Sequence, residues 1–191
     1  MPNNIVITGD KYVGKSTVVR EIINKLNLKP GGFVVGRNGD FDQWLSFYLA
    51  DPLEYYEKQV KNVPGFEEKW QIFAKRDSLD TEWNIRPEVF NNLGVKLLEE
   101  GQRTKDIVVM DELGRFELNA KEFQQKVFEI LDKQKPVLAV LKDEDNKFLD
   151  QVRSRDDVSI YRIKKDNHDT IYNKIDEELQ QIINNKNTNE E

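Results

Sequence analysis

Apolar residues recur along this chain in two alternating rhythms. Short unbroken runs, Ile5 to Thr8, Phe33 to Gly36, Ile107 to Met110, Val137 to Leu141 and Val158 to Ile163, have the length and β-branched content of buried strands. Between them, longer segments follow the helical period. Lys15 to Asn27 places Val18, Val19, Ile22, Ile23 and Leu26 on one face, and Asn119 to Lys133 does the same with Phe123, Val127, Ile130 and Leu131. Pro87 to Glu100 reads as a helix with proline in its first turn and Gly101 after its end; Asp145 to Arg153 and Asn167 to Ile183 read as two more. Lys29-Pro30-Gly31-Gly32 stops the first helix, and Asn38-Gly39 predicts a hairpin turn ahead of a strand near Trp44 to Ala50.

Strands alternating with helices at this spacing predict an α/β fold with a mostly parallel central sheet and right-handed crossovers. Residues 41–90 break the rhythm. They hold all three tryptophans and 11 of the 19 aromatic residues, with six Lys or Arg against ten Asp or Glu. Aromatic-rich runs can stack nucleobases, but this one is net acidic, so its expected role is to fill the core under an inserted hairpin or small lid over 41–86. At 191 residues the chain suits one well-buried domain, expected over 1–184, with a polar tail at 185–191 expected to be disordered.

Composition narrows the setting. Without cysteine there is no disulfide, thiolate zinc site or cysteine nucleophile, which fits a reducing cytoplasm, and the single His168 excludes a multi-histidine metal cluster. No apolar run has the length of a membrane span, and the first strand begins too early for a signal peptide. A cytoplasmic protein without a membrane partner is expected. The net charge of −6 argues against a broad nucleic-acid footprint, while leaving small anions possible.

The candidate chemistry begins where the first strand ends. Gly9-Asp10-Lys11-Tyr12-Val13-Gly14-Lys15-Ser16-Thr17 is a G-x-x-x-x-G-K-S run between a β-branched strand and a helix start. That order aims backbone N–H groups and the positive end of a helix dipole at one point, where a triphosphate fits. Lys15 is expected to reach the β- and γ-phosphates, and the Ser16 hydroxyl to ligate a bridging Mg²⁺. The apolar run from Ile107 ends in Met110-Asp111-Glu112. Asp111 is placed to hold the Mg²⁺ with Ser16, and Glu112 to polarise a water for in-line attack on the γ-phosphate.

Further stretches extend the pattern: Lys29-Pro30-Gly31-Gly32-Phe33, Val108-Val109-Met110-Asp111-Glu112-Leu113-Gly114-Arg115-Phe116-Glu117-Leu118, Lys135-Pro136-Val137-Leu138-Ala139, Phe148, Arg153 and Asp157-Val158. With the loop, they resemble the small P-loop nucleoside-triphosphatases first described from thermophiles, which have a human cancer-related relative. The resemblance runs from Ile5 to about Ile171, and D-E-x-G-x-x-E-L is its most specific part. It implies a P-loop NTPase sandwich and Mg²⁺-dependent hydrolysis of nucleoside 5′-triphosphates, ATP and GTP among them, to diphosphate and phosphate. Met110 and Gly114 join Gly9 to Thr17, Asp111 and Glu112 as candidate nucleotide-binding residues. Arg115 is the candidate for a contact with the γ-phosphate, and with Lys15 and Glu112 completes the candidate catalytic set.

Two positions depart from the family pattern. Tyr12 stands where glycine is usual, so the loop must turn there without glycine's freedom. Lys11 adds a charge that is expected to face solvent. Two other functions share the loop: a nucleoside or nucleotide kinase, with lid arginines drawn from Arg76, Arg86, Arg153 and Arg155, and a nucleotide switch activated by a partner's arginine. The absence of a well-placed N-K-x-D motif counts against a guanine switch.

Overall fold

A strand with apolar side chains on both faces is stable only when a layer covers each, and this requirement arranges the chain. The structure, a computed structural model, describes residues 3–40, 43–60 and 70–187. Its strands are β1 (Asn4–Thr8), β2 (Pro30–Asp40), β3 (Gln43–Ala50), β4 (Gln71–Lys75), β5 (Asn84–Ile85), β6 (Ile107–Leu113), β7 (Val137–Leu141) and β8 (Val158–Arg162). They form one eight-stranded sheet in the order β5-β4-β3-β2-β6-β7-β1-β8. The pairings from β2 through β6, β7 and β1 to β8 are parallel, whereas β2, β3, β4 and β5 pair antiparallel.

The helices are α1 (Lys15–Lys25), α2 (Pro52–Val60), α3 (Pro87–Val89), α4 (Val95–Thr104), α5 (Lys121–Leu131), α6 (Lys147–Arg153) and α7 (His168–Asn187), with a π-helical turn, Phe90–Gly94, joining α3 to α4. Two apolar clusters cover the two faces. In β1, Ile5 and Ile7 pack into the cluster holding Val18 and Ile22 of α1 and Leu179 of α7, while Val6 joins Leu98 of α4 and Phe123 of α5. The side-chain alternation of one strand thus serves both layers.

Three local expectations change. β2 runs through Asn38-Gly39 to Asp40, which pairs with Gln43; the dipeptide sits at a register irregularity in the ladder rather than in the turn. Gly39 takes φ 125°, the freedom a bulge needs. The helix begun at Pro87 continues past Gly101 to Thr104, because Gly101 lies against β2 instead of capping the helix. The last helix extends through Asn187, four residues beyond the expected Ile183, so 185–187 are helical and 188–191 lie outside the described residues. The aromatic-rich segment adds β3, β4 and β5 to the sheet edge. Among the described residues no helix is long and apolar enough to cross a membrane.

The K-P-G-G stretch owes its glycines to close packing. A Cβ on Gly101 would lie 2.5 Å from the Gly32 nitrogen and 2.9 Å from the Gly31 carbonyl carbon. Backbone meets backbone, and no flexible side chain can yield. Gly101→Ala should therefore destabilise the protein by about 1–3 kcal/mol, the usual cost of overpacking. Chemical denaturation checks this: an unchanged midpoint would contradict the close contact.

Candidate active site

The loop after β1 is shaped by two glycines. Gly9 (φ 138°) and Gly14 (φ 94°) occupy backbone regions that side chains rarely adopt, and a Cβ on Gly9 would meet the Ile163 carbonyl oxygen at 2.2 Å. Between them Tyr12 takes φ 63° with its ring exposed, so the position where glycine is usual does turn left-handed. A side chain there costs about 1–2 kcal/mol. Gly14 leads into α1 without a side-chain cap or an acidic residue in the first turn. The N–H groups of that turn are therefore available to an anion.

Lys15 folds back over the loop, its Nζ donating to the Gly9 carbonyl at 2.9 Å and the Asp10 carbonyl at 2.6 Å. Burial lowers its pKa, against the raising influence of Glu112 and Asp111. One residue on, the Ser16 hydroxyl donates to Oδ1 of Asp111 at 2.9 Å, joining the start of α1 to the end of β6 across 95 residues of chain.

Asp111 and Glu112 are neighbours with opposite environments. Asp111 is 5 % exposed, and burial together with the Glu112 charge pushes its pKa up to about 6, despite the Ser16 hydrogen bond. For Glu112 burial acts in the same raising direction, but Lys142 and Arg37 together outweigh it and hold the carboxyl below its ordinary value. Lys142 Nζ lies 3.1 Å from Oε1 and an Arg37 nitrogen 3.3 Å from Oε2. Adjacent carboxyls driven apart in this way can take different tasks.

These groups edge a cavity of ≈ 590 Å³. Of the candidates, Gly9, Asp10, Lys11, Tyr12, Gly14, Lys15, Ser16, Thr17, Glu112 and Arg115 line it, and Asp111 joins it through Ser16. Lys11 is exposed. Val13 and Met110 instead pack into the core, and the buried Gly114 N–H donates to Glu117. Arg115 is half-exposed, 3.3 Å from Glu144. Arg76 reaches the cavity, whereas Arg86 pairs with Glu88, and Arg155 pairs with Asp132 and Asp157 at the start of β8, the far end of the sheet. Arg153 donates to the carbonyls of Lys142 and Glu144, fixing the turn that carries Lys142.

Several residues here have no local sequence signal. Arg37 lies in β2 and Lys142 just past β7, and they meet only at Glu112. Trp44, Phe47, Trp83 and Phe116 border the cavity, Phe47 and Phe116 from within the core, while Phe73, Phe90 and Trp70 fill core as expected. Glu117 is 2 % exposed, accepts the Gly114 N–H at 2.8 Å, and is pushed by burial up to about 7.

A family model described as NTPase matches residues 4–176. The chain belongs to the NTPase family. It is 27 % identical over 176 residues to the nucleoside-triphosphatase THEP1 of Thermotoga maritima, covering 90 % of this chain and 92 % of that one. The Methanocaldococcus jannaschii THEP1 is 27 % identical over 179 residues, covering 90 % and 94 %. The fold is similar to that of the crystal structure of THEP1 from Aquifex aeolicus, with TM-score 0.68 at 22 % identity over 90 % of this chain and 96 % of that one. It is also similar to the solution structure of a human cancer-related nucleoside triphosphatase, with TM-score 0.69 at 19 % identity over 94 % and 98 %. Membership makes this NTPase a hydrolase of nucleoside triphosphates on a P-loop fold.

In this NTPase, Glu117 offers a test of the buried acid. Its folded pKa of about 7 lies above the ordinary 4.5, so the stability it contributes is full below 4.5 and is lost as pH rises through 7. Glu117→Gln keeps an acceptor for Gly114 without the charge. Relative to the parent protein it should be near neutral at pH 4 and gain about 3 kcal/mol by pH 8. Equal stability differences at both pH values would show that Glu117 titrates normally.

Proposed function

We propose that this NTPase cleaves the γ-phosphate anhydride of nucleoside 5′-triphosphates with Mg²⁺ as cofactor, Glu112 orienting the attacking water. The observation that carries the reading is the 2.9 Å contact of Ser16 with Asp111, beside an ionised Glu112 at the mouth of the loop. A hydroxyl and a carboxylate are hard oxygen donors of the kind Mg²⁺ prefers. Among the described residues no group of three or more His, Cys, Asp or Glu could hold a metal, which suits an ion that arrives with the triphosphate and keeps its waters. Ser16 and Asp111 would hold it. A Mg²⁺ held by them would supply positive charge to the phosphate oxygens.

Lys15 then exchanges its two loop carbonyls for phosphate oxygens and follows the transferred phosphoryl group. Backbone N–H groups from Gly9 to Thr17 cradle the chain of phosphates. Glu112, kept charged by Lys142 and Arg37, accepts a hydrogen bond from water and aims it. A carboxylate with a lowered pKa is a weak proton acceptor, so intrinsic turnover is slow. Arg115 is the candidate to approach the γ-phosphate once it leaves Glu144. The substrate is the free nucleotide, in the cytoplasm, and 1–184 act as one unit.

Lys15→Ala should abolish hydrolysis and weaken triphosphate binding; parental turnover would refute the assignment. Glu112→Gln should bind triphosphate with near-parental affinity yet lose about 10² to 10⁴ in kcat. Unchanged hydrolysis would remove Glu112 from the water-orienting role. Asp111→Asn should raise the Mg²⁺ concentration needed for half-maximal rate, and indifference to Mg²⁺ would count against Asp111 as a metal partner.

A further inference from the structure

The cavity continues beyond the place where hydrolysis occurs. Strand order acts as a ruler across it: from the loop after β1 it passes Lys142 after β7, Glu112 on β6, Arg37 on β2, Trp44 and Phe47 on β3, and Arg76 just past β4. With strands about 4.8 Å apart, β4 lies roughly 14 Å beyond β6, on the side away from the loop. A γ-phosphate beside Ser16 and Glu112 therefore faces this second half.

Two independent features equip that half for a ligand. The first is a wall of flat rings. Trp83 is 4.8 Å from Phe47 between centroids and 5.8 Å from Phe116, and both Trp83 and Trp44 are only half-buried, bordering the cavity. The second is charge. Arg37, Arg76, Arg115 and Lys142 line this half against Glu112, Asp143 and Glu144, of which Asp143 is paired with Arg162. Arg76 is fixed by structure rather than by an acid: its guanidinium stacks 4.5 Å from the Trp83 ring and donates to the Trp44 carbonyl at 2.9 Å and the Leu79 carbonyl at 3.0 Å. Among the described residues no carboxylate lies within ion-pair distance of it. Flat rings select a nucleobase, and surplus cations select a phosphate.

We propose that this second half is an acceptor site for a nucleoside monophosphate, its base beside Trp44 on the Arg76 guanidinium that Trp83 backs and its phosphate between Arg37 and Arg115, and that the protein transfers the γ-phosphoryl group to it. The inference rests on the γ-phosphate position proposed above. In the step, a dianionic phosphate oxygen of the acceptor forms the new P–O bond to the γ-phosphorus while the bond to the β–γ bridging oxygen breaks. Nucleoside triphosphate plus monophosphate give two diphosphates, and no proton moves. The acceptor brings a ready nucleophile to a site whose carboxylate is a weak base for water. Hydrolysis is then the same displacement by water when the acceptor site is empty.

The test is to incubate the full chain with Mg²⁺ and γ-labelled ATP, adding each of the common ribonucleoside and deoxyribonucleoside monophosphates in turn. Label should appear in the diphosphate of at least one acceptor, with release of labelled phosphate falling in step. Trp83→Ala, which removes the ring backing Arg76, should raise the acceptor concentration for half-maximal transfer about tenfold, and Trp83→Phe should recover most of it. Because Trp83 also packs on Phe47, titration of the parental protein's tryptophan fluorescence provides a second readout. Saturable quenching by the acceptor with the loop already filled by a non-hydrolysable triphosphate is the expected result. Label confined to inorganic phosphate for every acceptor, in hydrolysis that still requires Lys15, would overturn the acceptor site alone. Monophosphates that only compete with triphosphate would overturn it as well. Hydrolysis that survives Lys15→Ala would remove the γ-phosphate position and the acceptor site together.

Discussion

Burying two adjacent carboxyls at one strand end is the constraint around which the cavity is built. Either charge alone would cost several kcal/mol to desolvate, and side by side they repel. The protein resolves this unequally. Asp111, deep and reached by the Ser16 hydroxyl, sits near pKa 6, while Glu112 is held ionised between Lys142 and Arg37. Among the described residues Asp111 is therefore left without a compensating cation from the protein at hydrogen-bonding distance, and Glu112 carries a charge already compensated by protein. Remove the cations and the pair would protonate instead of acting.

The sheet supplies this compensation by topology. β7 lies between β1 and β6, so its C-terminal end delivers Lys142 between the loop and Glu112; β2 on the other side of β6 delivers Arg37. The antiparallel strands β3, β4 and β5 then widen the same edge and bring an aromatic and cationic wall to it. The end of the central strands that carries the glycine loop thus acquires a second wall facing it.

What could be read from the chain follows how local each signal was. Gly9 to Thr17 and Asp111-Glu112, which the fold brings together, are legible as motifs because each sits within a few consecutive residues, bounded by a strand and, for the loop, by a helix. Arg37 and Glu112 lie 75 positions apart, and nothing near either marks the pairing. Asn38-Gly39 misled for a physical reason: the dipeptide favours positive φ, which serves a bulge as well as a turn. Gly101 looked like a helix stop, although its missing side chain serves a neighbour in space. Among the aromatics, composition could not separate Phe73 and Phe90, which fill core, from Trp83, which borders the cavity, since both kinds of position favour large flat rings.

The most direct measurement is a crystal structure with Mg²⁺ and a non-hydrolysable triphosphate. The account predicts the γ-phosphorus beside Ser16 and Glu112, the ion on Ser16 and the Asp111 shell, and the nucleoside on the side of the loop away from Trp44 and Trp83. A nucleobase stacked on Trp83, with the γ-phosphate turned away from Glu112, would contradict it.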